Sequence, residues 1–225
     1  MTTAETRSDL ILAAEGLFAA HGIDGPSLRE LTRAAGQRNT GSLQYHFGDR
    51  DGLLQAVLAR HESDIDRRRD ALLEHAELHN PPNLTELSEA LVLPPASKLN
   101  DPDGGLAYLQ IIGEALARPT RFADVLRPTL KAPGLARWAK AVGPLLPPAA
   151  IGPPLHRRFA AIRFTHGELA SRARERSHRD HRLFTSQLVD LVAGLLAAPV
   201  TPTTERLIRR PSTELDAGAK RTARG

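Results

Sequence analysis

The chain has 225 residues, 41% of them hydrophobic, with 30 Lys and Arg against 26 Asp and Glu and no Cys. That length suits one or two domains with a real core, and the lack of Cys excludes disulfide staples, thiolate zinc sites and cysteine nucleophiles. The net charge of +4 does not by itself indicate nucleic acid, because residues 1–60 hold six Arg against seven acids while residues 199–225 hold six Lys or Arg against three, so most of the basic excess lies in the tail.

No stretch approaches the roughly 20 apolar residues that a membrane helix needs. The opening residues MTTAETRSDL lack a basic segment followed by an apolar run. The expectation is a cytoplasmic protein with no membrane partner.

In chain order, residues 6–21 place Leu10, Ala13, Ala14, Leu17 and Phe18 at the spacing of one buried helix face. Gly22 follows as a stop. Ser27-Leu28-Arg29-Glu30 reads as a capping box that opens a short helix, with Leu28, Leu31 and Ala35 on its inner side. Gly36 breaks that helix. A third short helix is expected from about Asn39 to Tyr45, with Leu43 and Phe47 pointing inward. Asp49 reads as the N-cap of a long fourth helix carrying Leu53, Leu54, Val57, Leu58, Ile65 and Leu72. Its charged far half is expected to be solvated on most sides.

Beyond Asn80 the prolines punctuate helical segments near 84–93, 103–117, 121–131 and 134–142, followed by two longer ones near 154–176 and 180–198. No strand pattern and no repeat is present. The expected fold class is all-α: an N-terminal three-helix helix-turn-helix DNA-binding domain (1–48), then a helical ligand-sensing and dimerisation domain (49–198). The segment 199–225, with scattered charge, Pro, Thr and Gly, reads as a disordered tail.

The order of long helix, capped short helix, glycine turn, short helix and long helix is the helix-turn-helix plan. The first short helix must brace the second through apolar contacts. The second must carry short polar residues on its free side, so that it can enter the major groove. Asn39, Thr40, Ser42 and Gln44 supply them, and Gly41, a poor helix former, would let a phosphate or base edge come close.

The blocks RSDLILAAEGLFAAHG, SLRELTRAAG and GSLQYHFGDRDGLLQAVL resemble the tetracycline-repressor (TetR) family of bacterial regulators over about the first 60 residues. Gly41-Ser42-Leu43-Gln44-Tyr45-His46-Phe47 matches the family's habitual Gly-x-Leu-x-Tyr-His-Phe segment. The turn from Gln37 to Thr40 is one residue longer than the commonest pattern, and Arg50 stands where Lys is usual. The resemblance implies that Asn39, Thr40, Ser42 and Gln44 read base edges, Gln44 being suited to adenine. It implies that Tyr45, His46 and Arg50 contact phosphate. Ser27 and Arg29, opening the bracing helix, are further phosphate candidates, and Arg38 could serve either role.

Leu155, Phe159, Ile162, His166 and Leu169, and then Phe184, Leu188, Leu191 and Leu195, step by fours and threes like coiled-coil seams. Two such helices from each subunit would form an intermolecular four-helix bundle; the alternative is that both seams bury within their own subunit. A twofold homodimer would set two reading helices about 34 Å apart on a palindromic site in double-stranded DNA. The middle region would then hold a small-molecule effector, with Leu106, Leu109, Gln110, Ile111, Phe122, Trp138 and Arg163 as candidate lining residues, although plain core packing explains each of them too.

The implied function is a dimeric, sequence-specific transcription regulator, a repressor released by its ligand. Two other readings stay open: a helical interaction adaptor with a non-reading helix-turn-helix, and a helical-bundle enzyme. The sequence has no paired Glu-x-x-His set, phosphate-binding glycine loop or nucleophile triad, so no catalytic residue is expected. His75 and His79 beside Glu74 and Glu77 read as a solvated face rather than a metal site, and no metal or cofactor is expected.

Overall fold

A computed structural model describes residues 3–37, 39–78, 82–175 and 180–209. Among these the regular structure is helical throughout: α1 (Thr3–His21), α2 (Leu28–Ala34), α3 (Gly41–Phe47), α4 (Arg50–Glu77), α5 (Leu84–Ala96), α6 (Gly105–Ala117), α7 (Ala123–Leu130), α8 (Pro133–Val142), α9 (Pro148–Ile151), α10 (Arg157–Arg174), α11 (Arg182–Ala197) and α12 (Pro202–Arg209). No single described helix is long and apolar enough to cross a membrane.

The local signals explain the first four helices. α1 buries Leu10, Ile11, Ala14 and Phe18. α2 opens on a complete capping box: the Glu30 N–H donates to Ser27 Oγ (3.2 Å) and the Ser27 N–H donates to the Glu30 carboxylate (2.6 Å). It closes on Gly36 at φ +70°, where the Gly36 N–H donates to the Arg33 carbonyl (3.0 Å) and the Gln37 N–H to the Thr32 carbonyl (2.9 Å). That paired closure needs a left-handed residue, which glycine supplies without a Cβ clash. The inner face of α2 differs from the predicted one. Leu31, Thr32 and Ala35 are covered, whereas Leu28 is 39% exposed. Thr32 tolerates burial because its hydroxyl donates to the carbonyls of Leu28 and Arg29.

Asp49 caps α4 by accepting the Gly52 N–H (2.8 Å). At 28 residues this helix is about 42 Å long and links the two ends of the molecule. Its second half is charged yet keeps one covered stripe, His61, Ile65, Arg69, Leu73 and Ala76, against α5, α7 and α8. Leu72, expected among the apolar positions, is only half-buried.

The remaining helices form a second layer. α5 packs on α4 and α11, and α6 packs along α10. α6 and α10 approach so closely at Gly113 that a Cβ there would overlap the Cβ of Ala170. One apolar cluster runs from Leu10 through Leu58, Leu91, Ile112 and Trp138 to Leu196, so the two predicted halves share a continuous core. Residues 202–209, placed by composition in a disordered tail, form α12, which buries none of its residues; residues 210–225 lie outside those described.

Candidate nucleic-acid interface

α3 is held from behind by Leu43, which is 1% exposed, with Phe47 half-buried against the core. Its other side faces solvent. Asn39, Thr40, Gly41, Gln44 and Tyr45 are exposed and Ser42 is half-exposed; Tyr45 reaches 79%. Among the described residues nothing covers Gln44, which leaves this face open to a duplex groove. Asn39 is partly committed. Its Oδ1 accepts the Gly41 N–H (3.0 Å), and a Cβ on Gly41 would lie 3.1 Å from that oxygen. Glycine at 41 therefore serves the local cap as well as clearance, and leaves the Asn39 amide NH2 as the group able to reach a base.

The predicted phosphate set divides. Ser27 and Arg29 are exposed at the start of α2, but Ser27 Oγ is occupied by the capping box. The Ser27 hydroxyl and backbone N–H together hold the Glu30 carboxyl below the usual carboxylate range. His46 is half-buried, edge-on to Tyr45 at 5.0 Å. Arg50 is turned inward: its Nη1 donates to the Ile23 carbonyl (2.9 Å) and its Nη2 to the Pro26 carbonyl, so it braces the turn before α2. Arg38 lies outside the described residues.

A set of contacts that the sequence did not reveal ties this head to the other helices. Glu15, buried on α1, receives Arg60 Nη1 (2.8 Å) and lies 2.7 Å from His61 Nε2, while Arg60 also bonds Asp103. The Ile23 N–H donates to both Glu114 oxygens (3.2 Å each). Arg118 pairs with Glu114 and Asp24, holding the Asp24 carboxyl below its ordinary range. Arg121 pairs with Asp51 (2.9 Å). The only trace of this in the sequence is an acid, Glu15, inside an otherwise apolar run.

The candidate ligand residues do not converge. Leu109, Ile111, Phe122 and Trp138 are core residues, Trp138 donating its indole N–H to the Leu87 carbonyl (2.8 Å). Gln110 donates to the Ala173 carbonyl (3.4 Å), and Leu106 and Arg163 face outward. Between Leu109, Ile111 and Arg163, α6 and α10 close on one another at Gly113 and Ala170.

The predicted seams point mostly inward as well. Ile162, His166, Leu169 and Leu188 are buried within the subunit, and Leu155, Phe159, Phe184 and Leu195 are half-buried. Only Leu191, 49% exposed, stands out from it. The free face is the neighbouring one: Ala160, Arg163, Gly167 and Ser171 on α10, with Leu183, Gln187, Leu191 and Gly194 on α11. Leu183 is 83% exposed.

A family model for bacterial regulatory proteins of the tetR family matches residues 10–57, the stretch from α1 into α4 that contains this head. Residues 10–57 thus carry the tetR-family signature. No curated protein sequence matches the chain. Among solved structures, the chain is similar to a protein from Shewanella sp. PV-4 described as a tetR family transcription regulator, at 16% identity and a TM-score of 0.55, over 85% of this chain and 95% of that one. It is likewise similar to the ketosteroid transcriptional regulator KstR2 of Mycobacterium tuberculosis, at 17% identity and a TM-score of 0.51, over 86% and 95% of the two chains. At these identities the likeness is one of fold. With the family match over residues 10–57, it describes a helix-turn-helix head of the tetR type on a helical body, an architecture that supports a DNA-binding regulator.

Proposed function

We propose that the protein is a dimeric, sequence-specific regulator that reads a palindromic operator with α3 and is released from it, as a repressor, by a small molecule. The observation that carries the reading is the open polar face of α3, Thr40, Ser42 and Gln44 with the Asn39 amide, fixed by Leu43 behind it. Short polar side chains on a braced helix suit direct readout in the major groove. Tyr45, Arg29 and His46 serve as backbone contacts; phosphate contacts fix position without encoding sequence.

Dimerisation is assigned to the outward face of α10 and α11. Leu183, Gln187, Leu191 and Gly194 make one stripe on α11, and the small residues Ala160, Gly167 and Ser171 on α10 let a second pair of helices approach closely. A contiguous apolar and small-residue face on a monomer marks an interaction surface, and a twofold axis gives the same patch on both subunits. The ties from Glu15, Asp24, Ile23 and Asp51 to Arg60, Glu114, Arg118 and Arg121 support ligand control, because motion in α6 or α7 is passed to the reading head.

Selection of bound duplexes from a random pool tests the reading. A palindromic consensus is expected, and Gln44→Ala should relax preference at one base pair per half-site, at about 1–3 kcal/mol. Equal, weak binding to all duplexes would reject specific reading and favour the interaction adaptor.

A further inference from the structure

Resting on the reading of this protein as a ligand-responsive regulator, we propose that its effector is a small uncharged alcohol or phenol bound where α1, α3, α4 and α7 meet, its hydroxyl in a buried polar cavity behind Glu62 and its apolar body in the groove beside Phe47.

Two spaces adjoin there. The inner one is a small recess of about 20 Å³ whose polar lining is Glu62, Asp66, Arg69, Tyr108, Thr129 and His166, room for one water or one hydroxyl. The outer one is an open groove of about 400 Å³, walled by Arg7, Phe47, Ala56, Ala59, Val125 and Pro128, within the size range of small-molecule sites. Glu62 and Thr129 line both, and the Thr129 hydroxyl donates to Glu62 Oε1. That hydrogen bond joins the two residues that the groove and the cavity share.

The inner groups select the head of the ligand. Asp66 is already committed, accepting Arg69 Nη1 on Oδ1 (3.1 Å) and the Gly134 N–H on Oδ2 (3.0 Å). Arg69 is 4% exposed, and its Nε has no partner. Burial holds His166 neutral, with its pKa lowered to about 4. Its Nδ1 lies 2.9 Å from the Ile162 carbonyl, so the proton sits there and Nε2 is left as an acceptor. Burial also pushes the Glu62 carboxyl up. One unmet donor therefore stands with acceptors on Glu62 and His166, and a hydroxyl is the group that accepts and donates at once.

Charged heads fit poorly. A carboxylate would add negative charge beside Glu62 and Asp66, and an ammonium would meet Arg69; a buried ion without a matched partner is costly. A hydrocarbon would leave the Arg69 Nε–H unmet. The aliphatic and aromatic wall of the groove suits the body of such an alcohol.

The site also reaches the reading head. Arg7 of α1 and His46 and Phe47 of α3 form one wall of the groove, and Arg7 lies 5.3 Å from the Phe47 ring centroid. A ligand that replaces the Thr129 contact to Glu62 parts α7 from α4 and presses on the end of α3, so ligand and operator weaken each other equally.

Calorimetric titration of the full chain with phenol and 1-hexanol, against toluene, hexanoate and hexylamine, tests this. The two hydroxyl probes should bind at least about tenfold more tightly than the three controls. Ala59→Trp, which fills the groove from an exposed position, should abolish phenol binding, and Glu62→Gln should weaken it about tenfold. Phenol should lower affinity for the selected duplex in the unmodified protein and not in the Ala59→Trp variant. Equal binding of toluene or either ion, or phenol binding unchanged in Ala59→Trp, would overturn the site. Operator binding that ignores bound phenol would overturn its role as effector site. Phenol binding of this pattern in a protein that selects no DNA sequence would uphold the site and instead sink the regulator reading.

Discussion

Both terminal nitrogens of Arg50 end on backbone carbonyls of the turn before α2, and Ile23 and Pro26, which own those carbonyls, are buried. Removing the guanidinium leaves two covered acceptors unpaired, which costs about 1–3 kcal/mol for each. Arg50→Ala should therefore lower the midpoint of urea unfolding, while Gln44→Ala, on the open face, should leave it unchanged and alter only base preference. Equal midpoints for Arg50→Ala and the parent chain would return Arg50 to the DNA backbone, where the family resemblance had put it. The sequence shows an arginine three residues before a leucine pair, and both uses of such a residue are physically sound. Which carbonyls lie within its reach depends on how the Ile23–Pro26 turn folds back over α4, and side-chain identity does not encode that. The exposure of Gln44 was legible because it lies on a helix whose opposite face is leucine.

At the scale of the element, α10 illustrates the limit of spacing arguments. A repeat of fours and threes finds the apolar stripe correctly, since Ile162, His166 and Leu169 are all covered. It cannot say whether the cover is the same chain or another copy. Here α6 supplies it, through the close approach of Gly113 to Ala170. His166 consequently belongs to the core, and its linkage to folding has a definite sign. Its folded pKa is about 4, against about 6.5 in an unfolded chain. Below about pH 6.5 the unfolded chain takes up a proton that the folded chain refuses, so stability falls as the pH drops from about 6.5 to 4, by at most about 3 kcal/mol. Glu62, raised by burial, works in the opposite direction, and Arg69 and Tyr108 stay in one charge state over that range. The measurement is thus a difference: between pH 7 and 4.5 the unfolding midpoint of the parent should fall more than that of His166→Gln. Parallel curves would mean that His166 is open to solvent.

At the scale of the whole molecule, the helix-turn-helix head and the helical body are packed around one core, which predicts that they unfold together. Leu10, Leu31 and Leu43 belong to the same apolar cluster as Trp138 and Leu196, and Glu15 of α1 is buried against Arg60 and His61 of α4. The apolar cluster runs across residue 48, the boundary expected between the head and the body. A sequence pattern displays such a boundary readily, because motifs are local, and hides the shared core, because Glu15 and Arg60 are distant in the chain. Breaking one partner of a buried ion pair costs about 3–5 kcal/mol, so Glu15→Ala should destabilise the protein by about that much. Trp138, the only tryptophan, lies far along the chain in α8 and reports on the body alone. If the core is continuous, urea unfolding followed by Trp138 fluorescence should shift in Glu15→Ala by the same amount as unfolding followed by far-UV circular dichroism, and the two probes should coincide in both proteins. A fluorescence transition that stays in place while part of the helical signal melts earlier would show the head unfolding alone, and motion in α6 and α7 would then have no rigid route to α3.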